Sequence, residues 1–167
     1  MSHLSGHSEF KLKLIKNHWL DEAPIELFDY TQYRYVLYDA TYFHQDGCFM
    51  SFMNVLDQKI ISHLYADKEG FRSAYPWFQG LRNQGLNPAF ITMDGEQSLM
   101  RAIRIVWPEA TIQRCLRHIQ REGMRWLRSH PKTQAARQLR HLLKDLCGIR
   151  SVKEQNRFVE AYKSWLS

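Results

Sequence analysis

Asp39 stands in YVLYDATYF, residues 35–43, among aromatic, β-branched, aliphatic and alanine neighbours. Such a run reads as a buried β-strand, and aspartate is a poor strand former. A carboxylate inside an apolar sheet is costly unless a partner meets it. Asp94 follows a second apolar run, AFITM, and precedes Gly95. Taken singly, Asp94-Gly95 is a turn or helix cap, and Asp39 is a carboxylate paired to an arginine such as Arg34 or Arg101. Taken together on neighbouring strands, the two carboxylates repel, and a cation between them removes the repulsion. Mg²⁺ or Mn²⁺ suits that place, being a hard ion that takes carboxylate, water and phosphate oxygens. The chemistry of such a pair is phosphodiester cleavage and transfer, with two ions about 3.5–4 Å apart flanking an in-line displacement.

Positioning two acids this way requires a particular strand order. Residues 35–43, 48–56 and 59–65 read as strands, joined by turns at 44–47 and at Asp57-Gln58, and so form an antiparallel meander. Phe71, Tyr75, Phe78 and Leu81 then share one helical face within 68–84. A strand at 89–93, a helix at 96–107, a strand at 111–115 and a helix at 117–129 follow. Residues 132–147 and 152–166 read as two further helices. The order β-β-β-α-β-α-β-α, then helices only, predicts an α/β fold with a ribonuclease H-like mixed five-stranded sheet. Strands one and four are then adjacent and parallel, and ligands gather at the carboxyl ends of such strands. The expected organisation is a lead-in over 1–32, broken by Pro24, a catalytic core over 33–130, and the start of a helical insertion over 131–167. Tyr42, Phe43, Trp77 and Trp107 are expected in the core.

The chain has 167 residues and a net charge of +6, unevenly distributed. Residues 101–150 hold twelve Lys/Arg against three acids, a net of +9, while the remainder nets −3. This asymmetry points to a polyanionic partner, nucleic acid before membrane. Arg114, Arg117, Arg121, Arg125 and Arg128 follow at steps of three and four, one stripe on one helical face, with Arg101 and Arg104 as extensions. Leu116, Ile119, Gly123 and Trp126 make the opposite, core-facing stripe. A stripe of arginines leading from an acidic site is a phosphate track. The bland alternative is a solvated helical face.

Three cysteines at unrelated spacings suggest no disulfide framework, and no apolar run is long enough for a membrane helix. The expected location is cytoplasmic. His44, Cys48, Cys115 and His118 are a valid zinc ligand set by type, but the sequence does not bring the two pairs together. Cys115 reads more simply as a small buried hydrophobe.

ITMDGEQSLMRAI, TIQRCLRHIQRE and YVLYDATYF together resemble the Mutator-type transposases, a bacterial and plant DDE family, over about residues 33–130. The resemblance rests on both acids and on a Cys-x-x-His signature, here Cys115 and His118. It implies that Asp39 and Asp94 are the first two acids of a DDE triad, with His118 beside the acids or the DNA. It implies a two-metal Mg²⁺ or Mn²⁺ site, DNA as partner at element ends and target, and a homo-oligomer in the transposition complex. The third acid is expected beyond Ser167, after the helical insertion. Glu122 lies too early for it, and Glu154 and Glu160 fall in the insertion helices. Two other readings share these features: a nuclease of the same fold, and a non-catalytic DNA-binding remnant.

Overall fold

The structure, a computed structural model, describes residues 28–43 and 47–167 with a few positions between 8 and 14. The Pro24 break and residues 44–46 of the first turn lie outside the described residues. Five strands form one sheet: β1 (Tyr35–Phe43), β2 (Gly47–Asn54), β3 (Ile60–Ala66), β4 (Phe90–Met93) and β5 (Thr111–Arg114). Their order is β3-β2-β1-β4-β5. β1 is antiparallel to β2 and parallel to β4, β2 is antiparallel to β3, and β4 is parallel to β5. This is the mixed, ribonuclease H-like arrangement expected from the element order.

Two helices, α1 (Phe71–Asn83) and α2 (Gln97–Val106), follow β3 and β4. They bury one face of the sheet. Val36 and Tyr38 of β1, Met50 and Phe52 of β2, and Ile91 and Met93 of β4 meet Phe78, Leu99 and Ile103 in one core. Alternate residues of each strand enter it, as the period of two requires. Phe52, Phe78 and Trp107 pack at centroid distances of 5.3–5.9 Å. The Trp107 indole N–H donates to the Leu86 carbonyl at 2.7 Å, so the buried ring keeps its polar atom satisfied.

Gly47 opens β2 at φ 91°, and a Cβ there would meet the Ala66 carbonyl. Glycine accepts that conformation without steric cost. The second turn closes through Gln58 N–H to the Asn54 carbonyl at 3.0 Å, and through Asn54 Nδ2 to Asp57 at 2.8 Å.

One expectation needs correction. β1 is not buried along its length: Asp39, Tyr42 and Phe43 are exposed, and so is Tyr35. α1 and α2 cover only the face that carries Val36 and Tyr38. Asp39 therefore stands in solvent rather than inside an apolar sheet, and needs no partner to offset burial.

The remaining helices are α3 (Leu116–Leu127), α4 (Gln134–Asp145) and α5 (Val152–Leu166). Thr133 caps α4 and Ser151 caps α5 through their hydroxyls. α3 meets α4 where Gly123 leaves room for Leu143. Gln120 Nε2 donates to the Leu143 carbonyl at 2.7 Å across the same contact. Trp165 Nε1 ties α5 to the Ala135 carbonyl at 2.9 Å. Among the described residues, no helix is long and apolar enough to cross a membrane.

Candidate functional site

β1 and β4 run side by side with Leu37 opposite Thr92. Asp39 and Asp94 each lie two residues further on. The pleat puts Asp39 on the face of β1 that carries Tyr35, whose ring stacks on Phe90 at 5.4 Å, and Asp94 stands just past the end of β4. Asp94 directly follows β4 and opens the turn into α2. Its Oδ1 accepts the Glu96 N–H at 3.0 Å. Glu96 in turn caps α2, accepting the Ser98 N–H at 3.2 Å and hydroxyl at 2.9 Å. The turn reading of Asp94-Gly95 is thus true as far as it goes: the turn is what holds the carboxylate at the strand end.

The arginine partners considered for Asp39 are engaged elsewhere. Arg34 donates to the Asn87 carbonyl at 3.2 Å, and Arg101 lies over the Phe71 ring at 5.4 Å.

Beside Asp94 opens a cleft of about 390 Å³. Gly95 and Glu96 form one wall, and Arg114, His118, Arg121, Glu122 and Arg125 the other. The Arg114 guanidinium lies against Gly95, where a Cβ would push it aside. His118 Nδ1 is buried and has no hydrogen-bond partner. A buried polar atom in that state is costly.

Glu122 belongs to this cleft, although its early position in the chain argued against a place among the acids. One sequence signal does point to it: Glu122 is four residues after His118, hence on the same side of α3. Its carboxylate lies 3.5 Å from the Arg125 guanidinium. Among the described residues, no group of three or more His, Cys, Asp or Glu side chains is placed to hold a metal ion.

The arginine stripe is only partly one helical face. Arg117, Arg121 and Arg125 are exposed along α3. Arg114 ends β5 instead, and Arg128 follows the helix at φ 58°. The opposite stripe fares less well. Gly123 packs on Leu143, but Trp126 is 73% exposed and Leu116 is 37% exposed, and no residue of α3 is fully buried. α3 touches α4 over a short stretch, too little to cover its whole apolar stripe. Cys115 is the half-buried residue that caps α3, and Cys48 lies fully buried in the sheet. His44 lies outside the described residues, so the zinc set gains no support.

The sequence pattern of the Mutator family of transposases matches residues 53–166. The chain belongs to the Mutator transposase family. The matched stretch holds Asp94, Cys115 and His118 and runs through α4 and α5, well past residue 130. It begins after β1, so the part assigned to Asp39 rests on strand register. No curated protein matches the chain. Among solved structures, the chain is similar to a chain of the simian T-cell lymphotropic virus intasome in complex with PP2A regulatory subunit B56 gamma. That likeness has a TM-score of 0.40 at 11% identity, over 80% of this chain and 55% of that one. The chain thus spans about half the length of that structural neighbour.

Proposed function

We propose that this Mutator-family chain carries the part of a transposase that holds DNA for phosphodiester cleavage and strand transfer, with Asp39 and Asp94 as its first two metal-binding carboxylates. What supports this reading is the parallel pairing of β1 with β4, which brings Asp39 within β1 and Asp94 just past β4 toward the same end of neighbouring strands, with Asp94 lining a cleft that leads onto exposed arginines. Two carboxylates with water and phosphate oxygens make a suitable donor set for one Mg²⁺ or Mn²⁺. When bound, such an ion would supply Lewis acidity to a phosphodiester. His118 lines the same cleft and is assigned to orienting the phosphate. Arg117, Arg121 and Arg125 are assigned to the DNA backbone, and Arg114 and Arg128 flank them at either end of α3.

A non-catalytic, DNA-binding role is the second reading. It is favoured by the lack of a three-ligand group among the described residues. Binding of Mn²⁺, followed by its electron paramagnetic resonance signal, separates the two. One weak site lost in both Asp39→Asn and Asp94→Asn supports the metal-binding reading. Undiminished Mn²⁺ binding in both variants refutes it.

A further inference from the structure

On α3, Trp126 lies one turn beyond Glu122, past the part of the helix that lines the cleft and off the side that carries Arg117 and Arg121. Its indole is 73% exposed. It stands between Arg125, whose side chain is 75% exposed, and Arg128. Arg128 adopts φ 58° and ψ 178°, a backbone region that is essentially glycine's. An exposed indole thus sits in the last turn of α3, close in sequence to two arginines.

We propose that Trp126 stacks on an unpaired nucleobase of the bound DNA. This rests on the reading of α3 as a DNA-binding helix and adds to it a preference for unpaired ends. The arginine row complements a phosphate backbone, and a flat aromatic beside cations suits a base, whose π-face is open to any sequence. Within a duplex, bases are covered by their neighbours, so only an unpaired base offers that face. Eight residues of helix rise about 12 Å. At about 3.4 Å per nucleotide along one strand, the stacked base lies roughly three to four nucleotides from the phosphate at His118.

The test uses the full 167-residue chain, a blunt duplex, and the same duplex with a short unpaired tail. Binding is read by fluorescence anisotropy of labelled DNA. Trp126→Ala is expected to lose roughly 5- to 150-fold in affinity for the tailed duplex, with the blunt duplex nearly unchanged. Trp126→Phe should keep most of the tail preference. Indole emission present in the parent chain but missing in Trp126→Phe should be quenched by the tailed duplex. Equal losses on both substrates, or none, overturn the stacking. So does a parent chain that self-associates where Trp126→Ala is monomeric, since the indole then covers a second copy. Should Arg117→Ala/Arg121→Ala/Arg125→Ala abolish blunt-duplex binding while Trp126→Ala has no tail-specific effect, the DNA-binding reading stands and the stacking fails.

Discussion

The Tyr35 and Phe90 rings stack at 5.4 Å, with 8° between their planes, across the parallel pair of β1 and β4. The stack marks the face of the sheet that looks away from α1 and α2. Alternate strand residues share that face, Leu37 and Asp39 in β1 and Thr92 in β4, and Asp94 comes just after β4 ends. The strand sets Asp39, and the turn in which Asp94 accepts the Glu96 N–H holds the second acid at the end of β4.

The first prediction concerns the arginines. Arg117, Arg121 and Arg125 form the exposed row of α3. Replacing all three by Ala should weaken duplex binding and flatten the dependence of log K on log salt by about 0.9 for each phosphate that is no longer neutralised. Filter binding over a salt series reads this directly. An unchanged slope would mean the row is only a solvated face.

A second prediction follows from Gly95. Any side chain there must displace the Arg114 guanidinium, which lies against it. Gly95→Ala should therefore open or distort the cleft wall while leaving the core intact. The expected outcome is weakened DNA binding at nearly unchanged thermal unfolding. Unaltered binding would remove Arg114 from the residues that hold DNA.

The third concerns pH. Tyr38 and Tyr42 both donate to the Glu69 carboxylate, at 2.7 and 2.6 Å. Burial first, then the bond to Glu69, pushes the Tyr38 phenol above its ordinary range; for Tyr42 the bond to Glu69 leads. A group whose proton is held more tightly in the folded state stabilises that state below its unfolded pKa, near 10 for tyrosine. The contribution is lost as pH rises further. Spectrophotometric titration should leave two phenols un-ionised well past pH 10 until the chain unfolds. Tyr38→Phe should cost about 1.5–3 kcal/mol, because it removes a bond to a charged group. Normal titration of all phenols would rule out the network.

The fourth concerns α5. Ser151 Oγ accepts the Glu154 N–H at 3.3 Å, and Glu154 reaches back to the Arg150 N–H at 2.8 Å. That backbone bond leads in holding the Glu154 carboxyl below its ordinary value. Its support is present above the unfolded carboxylate pKa and fades as pH falls through the lowered folded value. Ser151→Ala should destabilise the α5 turn by about 1 kcal/mol. Amide exchange at 151–155 should quicken in that variant and in acid. Unaffected exchange would show that the cap contributes nothing.

Local patterns carried most of the architecture. Apolar runs separated by short turns in residues 35–65 and a period near 3.6 from residue 71 onward are properties of neighbouring residues, and they were sufficient for the strand order and for Asp94 at a strand end. They were sufficient too for the exposed arginine row, since steps of three and four define a helical face wherever the helix lies. Exposure is a different kind of quantity, because it depends on which distant segments come to rest on a face. β1 reads as apolar on both sides, yet α1 and α2 cover only one, and so Asp39 is solvated. Trp126 fell into an apolar stripe by periodicity, and the short α3–α4 packing leaves it bare. Glu122 and Asp94 are 28 positions apart along the chain, and only the folding of β5 and α3 beside β4 sets them in one cleft.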